Sequence, residues 1–422
     1  MKHRCLLAVL IVIGVWSDFA KAQEFPPGWL PVQRLDDKPA WSDFRKIEDK
    51  IHLYLPPGVD NVRGVFVCYV FHSQDPRELA RLWKFALVTV PAPFEYDLGH
   101  NDKRNGRYKL GHPVGNMGIL LNYLNFAAKE TKRPELAVAP LVGWLGQNGS
   151  HLGNDLFKRA PERVVAWTDS FPNTLAKYPD FTAKVPFAYA WEFTPQEAKD
   201  RQADRDKKWP QVKDQPTPAL DLSCRANTYG FGHGIYSKWT FFMLFLDRLI
   251  GLRLPETPPT AGQPTKLRPV ERERGWVGDY NPVGEWNPIA PFAEARGMVT
   301  PVWLPDAYCA WGWRAYHTAK PDIKLTAPVV EYRGKGPNRK DCGLGFDNIM
   351  KPGTPLTFAA ETTGNYAKIE FRSGDKVLGT SEKAPFRIEG IRLERGLHSL
   401  FAVGVTPAGE RKASRAGFLV VD

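Results

Sequence analysis

The sequence predicts an α/β protein: a mostly parallel sheet with helices on both faces, followed by a small all-β sandwich. Three observations predict it. Apolar runs such as Val65–Phe71 recur between helix-like stretches from about residue 60 to 255. Continuous runs, rather than alternating ones, belong to strands buried on both faces. From about residue 323 short alternating runs are divided by Gly and Pro turns, the pattern of an antiparallel sandwich of about a hundred residues. The 422 residues leave room for two or three domains.

Residues 1–22 read as a secretory signal, with Lys2 and Arg4 ahead of an apolar core and Ala20-Lys21-Ala22 as the cleavage site. The core is too short to span a bilayer, and no later stretch is long and apolar enough to do so. The expected mature protein is exported, periplasmic or extracellular. An extension over 23–59 leads into the α/β region, 60–255. There Val65–Phe71 is a strand, and Asp75-Pro76-Arg77-Glu78 carries a cap, a helix-starting proline and an acid. Phe85–Val90 is the next strand. Leu120, Leu124 and Ala127 mark one face of a helix that Pro134 stops. Leu136–Val142 is a strand, Val164–Trp167 and Val185–Trp191 are two more, and Trp239–Leu252 is an apolar helix. The alternation argues for helices on both faces of the sheet.

Residues 256–322 begin as a Pro- and Thr-rich linker. They then become aromatic, with Trp276, Tyr280, Trp286, Trp303, Tyr308, Trp311 and Trp313. These rings either stack on sugars or cover the main domain. Residues 323–422 form the sandwich.

The formal net charge of +11 falls to +9 when Lys2, Arg4, Lys21 and Asp18 leave with the signal. A basic exported protein fits an anionic polysaccharide or envelope surface, or the charge serves solubility alone. Lys and Arg are scattered and no nucleic-acid motif occurs, so nucleic acid is not an expected partner. After cleavage Cys68, Cys224, Cys309 and Cys342 remain. Four cysteines allow three pairings, and Cys68, inside an apolar strand, reads as a buried thiol. No metal-ligand spacing occurs, and no cofactor is expected.

The stretch Gly143-Trp-Leu-Gly-Gln-Asn-Gly-Ser-His-Leu-Gly153 is a sharp Gly-rich turn between a strand and a helix. That is the context of a nucleophile elbow. Its centre is Asn148, and a carboxamide is a very poor nucleophile. Together with Glu135–Leu141 before it, Pro161-Glu162-Arg163-Val164 after it, and Gly232-His233-Gly234 ahead of a long apolar helix, the turn resembles exported bacterial α/β-hydrolase-fold proteins of the serine-esterase type. The tail resembles bacterial Ig-like modules, through Ile369-Glu370-Phe371, Val377-Leu378-Gly379, Pro385-Phe386 and Gly396-Leu397-His398.

The resemblance implies a carboxylic-ester hydrolase, with an ester-substituted polysaccharide as one candidate substrate. Such an enzyme needs a hydroxyl, a histidine, a carboxylate and two backbone N–H donors. His233 fits the histidine. Glu192 is the first candidate acid, with Asp200, Asp204 and Asp206 in a charged run behind it and Asp169 as the alternative. The oxyanion donors would be the N–H of Gly149 and one near Ser73. Ser150 is the sole hydroxyl of the turn and lies two residues late. It is either a displaced nucleophile or a small residue or cap at the helix start. Asn148 therefore points to an inactive or altered hydrolase, or to a non-catalytic binder of a glycan or partner through the retained cleft, the aromatic segment or the Ig-like module.

Overall fold

Among the described residues eight strands make the central sheet. The protein is seen in a computed structural model that describes residues 33–34, 52–69, 76–90, 117–145, 149–170, 179–190, 192–193, 195–217, 220–226, 228–229, 235–260, 263–281, 283–319, 321–328 and 349–422. The sheet strands are β1 (Gln33–Arg34), β2 (His52–Tyr54), β3 (Gly64–Tyr69), β4 (Phe85–Val90), β5 (Leu141–Leu145), β6 (Val164–Ser170), β7 (Phe187–Ala190) and, after the short β8 (Glu192–Phe193), β9 (Ser223–Arg225). Their order is β1-β2-β4-β3-β5-β6-β7-β9. From β4 to β9 every neighbouring pair is parallel, and β2 runs antiparallel to β4.

Helices cover both faces, as the continuous apolar strands require. On one face lie α1 (Arg77–Trp83) and, later in the chain, the apolar helix over Ile235–Arg253. On the other lie α2 (Met117–Glu130) and α3 (Gly149–Arg159). Lys84, in the left-handed region at φ 57°, ends α1 and turns the chain straight into β4. The short α4 (Pro179–Lys184) and the charged α5 (Pro195–Val212) follow β6 and β8. The Ile235–Arg253 helix is α6. It follows β10 (Thr228–Tyr229), which pairs with β8.

The aromatic segment folds into β11 (Trp276–Asp279), β12 (Ile289–Pro291), β13 (Pro301–Leu304) and α7 (Ala307–Tyr316). The three strands form one antiparallel sheet. Trp303 and Trp313 are fully buried in the same core as α6. These two rings fill the interior. Asp306 caps α7, its carboxylate accepting the Cys309 N–H at 2.8 Å, and it accepts from Arg248 of α6 at 2.7 Å. At the other end of α7, His317 is buried with its Nδ1 2.7 Å from the Trp313 carbonyl. Among the described residues its Nε2 has no hydrogen-bond partner. The rings of Trp313, Tyr316, Tyr280 and Phe241 surround it, and burial pushes its pKa down to about 3.

The C-terminal region is a β-sandwich. One sheet is β14 (Ile323–Ala327), β16 (Pro355–Thr362) and β19 (Phe386–Arg392). The other contains β15 (Ile349–Met350), β17 (Lys368–Ser373), β18 (Lys376–Ser381), β20 (Gly396–Val405), β21 (Arg411–Ala413) and β22 (Gly417–Val421). Phe358, Ile369, Phe371 and Leu400 are among the residues that fill the space between the sheets. The outer face of β20 and β22 is also apolar. Leu397, Phe401, Val403, Phe418 and Val420 join α6 and α7 in one continuous core. Gly312 of α7 is the closest approach. A Cβ there would lie 2.7 Å from Leu244 of α6 and 2.8 Å from Ser399 of β20. Tyr308 crosses the same boundary, its hydroxyl 2.7 Å from Ser373 Oγ. At the edge, Arg314 stacks 4.1 Å from the centroid of Trp286 and Arg372 stacks 4.0 Å from that of Trp311.

Cys68, Cys224 and Cys309 are buried and no disulfide joins them. Burial raises the pKa of the Cys224 and Cys309 thiols. Cys342 lies outside the described residues, as does the expected signal at 1–22. Among the described residues no helix is long and apolar enough to cross a membrane.

Candidate functional site

In an open parallel sheet, ligands bind beyond the carboxyl ends of the strands, where neighbouring strands send their connections to opposite faces. Here that point lies between β3 and β5. The chain leaves β3 for α1 on one face and leaves β5 for α3 on the other. The connections leave from two adjacent strand ends and lead to helices on opposite faces. They are residues 70–75, with Ser73, and residues 146–148, with Asn148.

Both connections lie outside the described residues, and so does His233. The backbone around them is nevertheless defined. β5 ends at Leu145 and α3 begins at Gly149, so Asn148 is the last of three connecting residues. Gly149 and Ser150 are the first two residues of α3; the Ser150 side chain is outside the described set. The packing beneath this turn is tight because two glycines admit one indole. Trp167 of β6 is fully buried. A Cβ on Gly143 of β5 would lie 2.3 Å from its ring, and one on Gly153 of α3 would lie 2.9 Å from it. Asp155 then ties α3 to α2, accepting from the Met117 N–H at 2.9 Å and from Arg159 at 2.8 Å.

The two acid candidates occupy different places. Glu192 lies in β8, directly after the β7 strand, and its backbone pairs with Thr228 of β10. Five residues, 230–234, then join β10 to α6, and His233 is among them. The β8–β10 pairing thus ties the strand carrying Glu192 to the strand that leads into the His233 connection. Asp169 lies in β6, one residue before its end, fully buried and in register with Leu145, the last residue of β5. The two candidates remain distinct, one beside β5 and one in the strand paired with β10. Asp200, Asp204 and Asp206 lie on α5. There Asp204 pairs with Lys208 and Asp200 and Asp206 accept from glutamines, the behaviour of a solvated helix face.

The register extends the row at the carboxyl rim. Asp169 is level with Tyr189 of β7, and Tyr189 with Arg225 of β9. The Arg225 Nε and Nη2 donate to the Tyr189 hydroxyl at 3.2 and 3.1 Å, and the Trp313 indole N–H donates to the Arg225 carbonyl at 2.8 Å. Neither residue stood out in the sequence. Tyr189 sits inside an apolar run, and a single arginine at the end of a three-residue strand carries no local signal. Among the described residues no group of His, Cys, Asp and Glu is arranged to hold a metal ion.

No protein-family model matches the chain, and no curated protein matches it. Among solved structures, fibronectin(III)-like modules of Clostridium thermocellum CbhA are 20% identical over 24% of this chain and 45% of theirs, with a TM-score of 0.19. An FMN-binding beta-glucuronidase from Facaelibacterium prausnitzii L2-6 is 11% identical over 65% of this chain and 38% of its own, TM-score 0.15. The spore cortex lytic enzyme SleM of Clostridium perfringens is 10% identical over 71% of this chain and 85% of its own, TM-score 0.15. This chain spans less than half the length of the first two. At these scores the likenesses carry no argument about chemistry.

Proposed function

We propose that this chain is an altered member of the α/β-hydrolase fold that keeps a ligand crevice and lacks the elbow nucleophile. One observation carries the reading. The sheet reverses direction of growth at β3 and β5, and the connection out of β5 into α3 is three residues long and ends on Asn148. A nucleophile elbow is a tight strand-to-helix turn of this kind. Its central residue here is a carboxamide, and the one hydroxyl nearby, Ser150, belongs to the helix. Backbone donors at a helix start can still polarise a bound carbonyl without cleaving it. The pairing of β8 with β10 supports a retained acid and histidine, with Glu192 and His233 in those roles. The ligand class that fits the resemblance is an ester-substituted or anionic polysaccharide outside the cytoplasm.

The test is a fluorophosphonate probe on the full mature chain, read by peptide mass spectrometry. Wild type stays unlabelled, and Asn148→Ser acquires the label at that position. Phosphonylation of wild-type Ser150 would overturn the reading and make this an active serine hydrolase with a displaced elbow. An unlabelled Asn148→Ser chain that is folded would remove His233 from its role.

A further inference from the structure

We infer that Arg225 and Tyr189 form a subsite for a carboxylate on the ligand, at the carboxyl rim of the sheet beside Asp169. The inference rests on the reading above for the place of the crevice, and on its own geometry for the chemistry. Both side chains are half-buried, so a ligand can reach them. Nε and Nη2 of Arg225 both point at the Tyr189 oxygen. An arginine has five N–H donors and no acceptor, and among the described residues the rest of its donors have no acceptor. The Tyr189 oxygen accepts from the guanidinium, and among the described residues its own O–H has no acceptor. A guanidinium and a phenol held together with spare donors match the two oxygens of a carboxylate.

The surroundings hold the fork in place without neutralising it. The guanidinium carbon lies 5.5 Å from the Tyr189 ring centroid and 5.9 Å from that of Tyr280, and aromatic faces favour a cation. The nearby carboxylate of Asp279 is already taken by Arg205, at 2.7 Å for the Nη1 contact. By contrast Arg248 and Arg372 each have a carboxylate partner, Asp306 and Glu370. Three strand spacings separate β5 from β9, roughly 14 Å across the sheet. A ligand that reaches from the end of β5 to Arg225 is therefore longer than one sugar unit.

The experiment is isothermal titration calorimetry on the full mature protein with three probes: trigalacturonic acid, its neutral methyl ester, and acetate. Wild type binds the acid form at least about tenfold more tightly than the ester, the scale of a charge-assisted pair. Arg225→Gln abolishes that preference. Tyr189→Phe weakens the preference several-fold and serves as the second variant should Arg225→Gln fail to fold, which circular dichroism would show. Tighter binding of the trimer than of acetate assigns the site to a polymer; equal binding assigns it to a free carboxylate. Wild type that binds acid and ester alike, or a folded Arg225→Gln chain that keeps the preference, overturns the inference. The assay reads binding and not turnover. A phosphonylated wild-type Ser150 would defeat the pseudoenzyme reading and leave this result standing, and the reverse also holds.

Discussion

His317 should make the protein sensitive to mild acid. Its imidazole is buried, Nδ1–H donates to the Trp313 carbonyl, and Nε2 faces rings and no acceptor. Protonating Nε2 would bury an unpaired charge, so the folded-state pKa falls from 6.5 to about 3. Between those values the unfolded chain takes up a proton that the folded chain refuses, and stability therefore falls as pH drops below about 6.5. Each pH unit is worth about 1.4 kcal/mol. From pH 7 to pH 5 the loss from this one residue is about 2 kcal/mol. His317→Phe keeps an aromatic ring in the aromatic box and removes the titration. Urea unfolding of both chains at pH 7 and pH 5 isolates the effect as a difference of differences. The variant should lose about 2 kcal/mol less than wild type over this interval. Equal losses in the two chains would refute the argument and mean that Nε2 finds a partner or water in the folded state. Asp247 acts in the opposite sense. Burial raises its pKa to about 6, against the Trp83 hydrogen bond, so its contribution is present below about pH 4 and is lost as pH rises through 6. Because wild type and His317→Phe both carry Asp247, its share cancels from the comparison.

Gly143→Ala should lower Tm by at least about 5 °C in a thermal melt, because the new methyl meets a fully buried indole. An unchanged Tm would show that β5 and β6 can separate. Asp279→Ala strands the half-buried Arg205 and also removes the acceptor of the Thr300 N–H. Its expected cost is about 3–5 kcal/mol in denaturant unfolding. The double change Arg205→Met with Asp279→Leu should cost less than Asp279→Ala alone. A larger cost would mean that the pair contributes through its charge.

The parallel strands were legible wherever the chain stays apolar, as in Gly64–Tyr69 and Phe85–Val90. The strand before the elbow was misplaced. The sequence pattern puts it at Leu136–Val142, whereas Pro134–Ala137 is a 3₁₀ turn and the strand runs Leu141–Leu145. Pro140 marks the true boundary: it has no N–H to give the ladder, and its carbonyl accepts from Val65. Gly143 disguises the strand because glycine reads as a turn, and its actual role, making room for Trp167, is a tertiary fact. Helix α7 hid for a related reason. It packs against α6 on one side and β20 on the other, so its apolar residues form no single stripe. Of the site, the turn with Asn148 is visible in sequence because its glycines are local. The row Asp169, Tyr189 and Arg225 exists only through strand register, which ties residues far apart in the chain.

The apolar face that β20 shares with α6 and α7 also dictates when the protein can be finished. A chain made from its amino end delivers α6 at residue 253, but its cover on β20 begins only at Gly396. Until then the side of α6 and α7 marked by Leu244 and Gly312 has no β20 wall opposite it. The last strands of the sandwich are therefore the cover of the core that α6 and α7 share. A stop codon between the end of α7 at Tyr316 and Gly396 leaves that apolar flank uncovered.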